Sequence, residues 1–129
     1  MKKKSRKSIV KRLDIVFSLY IRLKNSDENG FCKCISCQKI QHYKEVDAGH
    51  FISRRHMSTR YDVDNVFPQC RYCNRYVAGN QWLYSQALEK IKKNLPEKLY
   101  LKSKQTVKYS NEDLESLISY YNNLLNHLN

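Results

Sequence analysis

Apolar residues recur at helical spacing in two long stretches, one near each end, with shorter segments between them. Ile9, Leu13, Val16, Phe17, Tyr20 and Leu23 return every three or four residues, which predicts a helix over residues 8–24 with Ser8 as its cap. Leu114, Leu117, Ile118, Tyr121, Leu124, Leu125 and Leu128 make a second stripe. Ser110, followed three residues later by Asp113, resembles a capping box that opens this helix. Each stripe needs cover, and packing of the two helices on one another provides it. A seam between two copies of the chain is the alternative. Between the helices, Asn25 to Gly30 (NSDENG) is a turn cluster. Tyr43 to Ile52 and Tyr61 to Pro68 read as strands, the second through Val63, Asn65 and Phe67, with the basic loop SRRHMSTR at 53–60 joining them. Cys70 is expected to open a helix that holds Cys73 and Asn74 in its first turns. Gly79 marks a break. Asn80 restarts a helix through Trp82, Leu83, Ala87, Leu88 and Ile91 that Pro96 ends, with Trp82 and Tyr84 expected in the core. The Lys-rich residues 97–109 carry no readable period.

Composition narrows the class. A chain of 129 residues is expected to form one domain with a thin core. With only 3 Gly and 2 Pro, long flexible linkers are not expected. The formal charge is +12, from 24 Lys+Arg against 12 Asp+Glu, which favours a polyanionic partner, most often nucleic acid. Nine Lys or Arg against one acid, Asp14, lie between Lys2 and Lys24, so two-thirds of the net charge sits there. Residues 2–7 (KKKSRK) read either as a solvated disordered arm or as a phosphate-contacting one. The longest uncharged run near the N-terminus, Ile15 to Ile21, is seven residues long and is interrupted by Ser18 and Tyr20. It is too short for a secretion signal or a membrane span, and a soluble cytoplasmic protein is expected.

The 5 cysteines add a metal to this picture. Four of them form two Cys-x-x-Cys pairs, Cys34/Cys37 and Cys70/Cys73, the usual ligand set of a structural zinc ion in a reducing compartment. Cys32 is left over. A Cys32/Cys34 ligand pair is the alternative, but its single-residue gap fits a knuckle turn less well than Cys34/Cys37, so Cys32 reads as a packed or bystander thiol. The 32 residues between Cys37 and Cys70 exceed what a simple zinc ribbon needs, so a further structure is expected inside the loop. That loop holds Asp47 and His50 (DAGH), and Asn74 follows the last cysteine directly. Phosphodiester hydrolysis needs a base for the attacking water and charge relief on the leaving oxygen. His50 suits the base. The carboxylate of Asp47 and the amide oxygen of Asn74 suit a hard cation, Mg²⁺ or Mn²⁺. Residues three apart on a strand point to opposite faces, so Asp47 and His50 converge only if Gly49 allows a kink; Asp62 or Asp64 is the substitute carboxylate. Arg54, Arg55, Arg60, Arg71 and Arg75 flank the site as candidate phosphate contacts. His42, His56 and His127 stand alone and read as surface histidines.

CISC at 34–37, DAGH at 47–50, RY at 60–61, QCRYCN at 69–74 and GN at 79–80 resemble the phage lambda NinG (Rap) recombination protein family. The order His50, Asn65, Asn74 is similar to the ββα-metal (His-Me finger, HNH) nuclease motif in its zinc-bearing form, and CxxC, Asp-x-x-His, CxxC-Asn is similar to the phage endonuclease VII family. The resemblance implies an α+β fold in which a ββα-metal core at 31–80, stapled by a structural four-cysteine zinc site, is flanked by helices at 8–24, 80–95 and 110–128. It assigns Asn65 to pinning the loop and orienting His50. It implies a metal-dependent endonuclease acting on branched DNA such as D-loops and four-way junctions in a phage-infected bacterium, for which a homodimer would suit symmetric cutting. An HNH enzyme of restriction or homing type acting on duplex DNA, and a non-catalytic zinc-dependent DNA-binding protein, are the competing classes.

Overall fold

The computed structural model describes residues 4–128, so Lys2 and Lys3 of the basic arm lie outside the described residues. The fold is mixed α/β, with helices around two small antiparallel sheets. Helix α1 runs Arg6–Lys24 and buries Ile9, Leu13, Val16, Phe17, Tyr20 and Ile21. Its cap is Ser5, whose hydroxyl accepts from the Ser8 N–H; Ser8 is the capped residue and not the cap. Arg6 and Lys7, assigned to a basic arm, are therefore already helical.

Strands β1 (Phe31–Lys33) and β2 (Ile40–His42) pair around the first cysteine pair. A 3₁₀ turn at Tyr43–Glu45 leads into β3, Val46–His50. This strand is shorter than the expected 43–52 because the His42 side chain caps the turn and holds 43–45 out of the ladder. The basic loop contains a one-turn helix, α2, at Met57–Arg60. Strand β4, Val66–Cys70, pairs with β3 in unbroken register from Val46↔Cys70 to His50↔Val66. The expected strand at 61–68 begins late because 61–65 is turn: Asp62 N–H bonds to the Thr59 carbonyl and Asn65 N–H to the Asp62 carbonyl. Cys70 consequently ends a strand; a wide π-helical turn, Tyr72–Tyr76, follows it and carries Cys73 and Asn74.

Helices α3 (Gln81–Ile91) and α4 (Leu95–Ser103) follow the left-handed residues Asn80 and Asn94, at φ 43° and 65°. Pro96 does not end α3. It sits in the first turn of α4, where its missing N–H has no helical partner to lose. Helix α5, Asn111–Asn126, has the expected capping box: Ser110 Oγ accepts from Asp113 N–H at 3.0 Å and Asp113 Oδ2 from Ser110 N–H at 2.9 Å.

Two apolar clusters sandwich the β3–β4 ribbon. On one side the stripes of α1 and α5 meet around Phe17, Leu13, Leu114, Ile118 and Tyr121, with Tyr61 and Val66. On the other, Tyr84 and Leu88 of α3 and Leu95 and Leu99 of α4 pack against Ile35, Phe51 and Phe67. Tyr84 is core, as expected, and its hydroxyl donates to the Gly49 carbonyl at 2.6 Å. Trp82 is not: it is 72% exposed on the far side of the same helix.

Candidate functional site

The cysteines of the two knuckles meet at the end of the β3–β4 ribbon. The sulfurs of Cys34, Cys37, Cys70 and Cys73 all lie within 4.8 Å of one another, and Cys37 Sγ is 3.7 Å from Cys70 Sγ. Ligands at the Zn–S length of about 2.3 Å in a tetrahedron are separated by about 3.8 Å, so the cluster has the size of a zinc site. Backbone N–H groups already point at the sulfurs, Cys37 N–H at Cys34 Sγ and Cys73 N–H at Cys70 Sγ, and the Asn80 amide reaches Cys73 Sγ at 3.4 Å. Burial raises the Cys34 thiol, but the backbone N–H groups of Cys37, Cys70 and Ser36 outweigh burial and leave it lowered, while burial pushes Cys73 up to about 12. Deprotonating all four at this spacing would take a cation among them, and the donor set suits zinc. Behind them, buried Gln69 donates to Ser36 Oγ at 3.0 Å and to the Gly79 carbonyl, tying the first knuckle to the turn after the second. Cys32 stands apart, buried in β1 with its thiol 3.6 Å from the Gln41 carbonyl.

Beside the cluster lies a cleft of about 680 Å³. Asp47, His50 and Asn74 all border it, with Arg54, Arg71 and Arg75. No kink brings Asp47 and His50 together. Strand β3 pairs on one edge only, and residues of both parities, Val46, Asp47, Ala48 and His50, line the cleft along its other edge. Gly49 serves packing: a Cβ there would collide with the Gln69 side chain. Asp62 and Asp64 do not border the cleft, and Asp62 is held by Lys102 at 2.6 Å.

Asp47 is held on both oxygens. Oδ2 accepts from Asn74 Nδ2 and Arg75 Nε, each at 2.9 Å, and Oδ1 from Arg75 Nη2 at 2.8 Å. Burial alone would raise its carboxyl, but these donors lower it. The 2.9 Å between Asp47 Oδ2 and the Asn74 amide equals the edge between adjacent ligands of an Mg²⁺ octahedron, about 2.9 Å. A half-turn of that amide exchanges its nitrogen for its oxygen, so the pair fits a small hard cation. The guanidinium of Arg75 now supplies the positive charge.

His50 Nε2 lies 2.9 Å from the Arg60 carbonyl. A carbonyl only accepts, so Nε2 carries the proton and Nδ1 the lone pair. Burial lowers His50 to about 4, with help from Arg54 and Arg60 and against the hydrogen bond to the Arg60 carbonyl. Asn65 is fully buried behind the cleft. It donates to the carbonyls of Ile52 and Thr59 at 3.0 and 3.1 Å and accepts from Ile52 N–H at 2.8 Å, which ties the loop shut below Arg60.

Two of the five candidate arginines fall away from the cleft lining. Arg55 is exposed on the loop, and Arg60 forks onto Asp14, with Nη2 to Oδ2 at 2.6 Å, which engages the charge it would offer a phosphate. Sequence reasoning missed Asp14 and Arg22, both cleft residues from α1. Asp14 was visible only as the single acid in a stretch of cations. Arg22 donates to the Tyr43 carbonyl at 2.9 Å, across a turn that no local pattern links to it.

Fold and site together define a mixed α/β protein in which four cysteines placed to hold a metal ion lie beside a cation-lined cleft. The chain belongs to the bacteriophage lambda NinG protein family, whose model matches residues 1–129. Comparison with curated proteins and with solved structures gave no match. Among the described residues, no helix is long and apolar enough to cross a membrane.

Proposed function

We propose that this protein is a metal-dependent DNA endonuclease with a zinc-braced ββα-metal core: strands β3 and β4 and the π-helical turn after them. The observation that carries the reading is the meeting of Asp47, His50 and Asn74 on one cleft whose other charged walls are mostly cationic. A passive zinc module has no use for a histidine whose Nε2 proton is fixed on a carbonyl and whose Nδ1 is left as a base. A divalent cation held by Asp47 and Asn74 would polarise the phosphate and stabilise the leaving alkoxide. Arg75, now paired with Asp47, would free that carboxylate for the cation by turning to the DNA phosphate. Asn65 holds the loop, the loop holds the Arg60 carbonyl, and that carbonyl orients the imidazole. Nδ1 of His50 takes the proton of a water whose oxygen attacks phosphorus. The P–O3′ bond breaks and O3′ takes a proton from solvent, leaving 3′-hydroxyl and 5′-phosphate ends. The chain's membership of the lambda NinG family, with the recombination role that the sequence resemblance implies, favours branched DNA, D-loops or four-way junctions, as the substrate.

The test is cleavage of labelled duplex, single strand, D-loop and four-way junction by wild type and His50→Ala, each checked for one bound zinc, with Mg²⁺ or Mn²⁺. The expected result is cutting by wild type, fastest on branched DNA, and a loss of about 10²-fold or more in the variant with binding retained. Binding of every substrate without cutting by wild type would leave a zinc-dependent DNA-binding module as the better account. Faster cutting of plain duplex would support the restriction or homing type.

A further inference from the structure

The cleft does not end at the proposed catalytic residues. A second groove, about 570 Å³, runs along the outer face of α1 and is bordered by Lys7, Lys11, Asp14, Ser18, Arg22 and Arg54, among others. Asp14, Ser18, Arg22 and Arg54 border both hollows, so the two are continuous. Lys7, Lys11, Ser18 and Arg22 fall within about 60° of one another at helical spacing, on the side away from the buried stripe. The two acids along the combined path are both neutralised, Asp14 by Arg60 and Asp47 by Arg75. Among the described residues, Lys7, Lys11, Arg22 and Arg54 have no carboxylate within ion-pair distance. The first turn of α1 also lacks the acids that oppose a helix dipole, whereas α5 has Glu112 and Asp113 there. Cations at the positive end of a helix weaken it, so they need another role.

We infer that α1 is a DNA track: one phosphate backbone of a duplex arm lies along Lys7, Lys11 and Arg22 and leads its phosphates past Arg54 into the cleft. From Lys7 to Arg22 the helix rises about 22 Å, at about 1.5 Å per residue. That spans about six base pairs at roughly 3.4 Å each. The track is the duplex-binding part of the endonuclease proposed above and rests on that reading for the phosphate it delivers.

The test is fluorescence anisotropy of the full chain on a labelled duplex, without divalent cation, across a salt series. The variants are Lys7→Gln/Lys11→Gln and, as a control of equal charge on exposed residues beyond α3, Lys92→Gln/Lys93→Gln. Each lost phosphate contact should lower the slope of log K against log salt by about 0.9. The track variant is expected to lose about 1.8 from the slope and the control close to none, both with wild-type zinc content and helicity. Equal losses in both variants, or an unchanged slope in the track variant, would overturn the track. A loss seen on single strands but not on duplex would overturn the duplex assignment. The two readings separate cleanly: a protein that cuts DNA with an unaltered slope in the track variant lacks the track but keeps the nuclease. One that loses slope as expected but never cuts keeps the track and loses the nuclease.

Discussion

His50 has its proton arrangement dictated by one backbone oxygen and its basicity by burial. An imidazole at about 4 is neutral at every pH near 7, so Nδ1 is available to accept a proton, although weakly basic. An arriving phosphate would favour the protonated form and strengthen it as a base. In the unfolded chain the same side chain titrates near 6.5. As pH falls from about 6.5 to about 4, the unfolded state therefore takes up a proton that the folded state refuses, and stability drops; below about 4 both are protonated and the loss levels off. The full effect is about 3 kcal/mol, at about 1.4 kcal/mol per pKa unit. Nitrogen-detected NMR of the zinc-loaded protein should find His50 as the Nε2–H tautomer at pH 6, with a protonation midpoint near 4. A midpoint near 6.5 would remove the buried environment from the account. His50 lies in the cleft beside the four cysteines, and the convergence of those cysteines was readable because their short spacings fix a ligand set before folding. The Asp14–Arg60 pair was not, because its partners are 46 residues apart and only the packing of α1 brings them together.

The loop between β3 and β4 is held less by its own sequence than by one buried amide. Asn65 makes three hydrogen bonds to the backbone of residues 52 and 59. Its removal leaves the partly buried Ile52 N–H and carbonyl without their partner, while the Thr59 carbonyl keeps the Asp62 N–H. Asn65→Ala should destabilise the zinc-loaded protein by about 3 kcal/mol, at about 1–3 kcal/mol per buried group left unpaired. Asn65→Asp keeps the acceptor for Ile52 N–H but cannot donate to the two carbonyls, and should also be destabilised. Urea midpoints at constant m would measure both, and a change under about 0.5 kcal/mol (the scatter of surface substitutions) in the alanine variant would refute the anchor. At this scale the long helices were legible because their stripe residues repeat around one face. The element ends were less so. Pro96 is compatible with the end of one helix or the first turn of the next, and the left-handed Asn94 that separates them gives no periodic signal. The strand expected through Val63 and Asn65 obeyed alternation, but Thr59–Asn65 gains more from local turn hydrogen bonds than from a ladder.

Across the whole molecule, the two apolar clusters are separate, and the β3–β4 ribbon is what joins them. The faces of α1 and α5 offered as a dimer seam are spent on each other. A two-fold pair would have to form through other surfaces. The four-cysteine centre ties β1 and β2 to the ribbon's end and to the turn that carries Asn74, Arg71 and Arg75. A structural zinc contributes on the order of 10–16 kcal/mol to folding, whereas a domain of this size has a net stability of about 5–15 kcal/mol. The metal's share is as large as the whole, so the ion is expected to decide whether the ribbon folds and not merely how rigid it is. Removing zinc with a chelator, or preventing its binding with Cys70→Ser, should abolish the cooperative thermal transition and the near-ultraviolet dichroism of the packed tyrosines. Residual helical signal from residues 6–24 and 111–126 is compatible with this, because their stripes can pair without the ribbon. A metal-free protein that still melts cooperatively, a few degrees lower, would mean that the two apolar clusters hold the cleft together unaided.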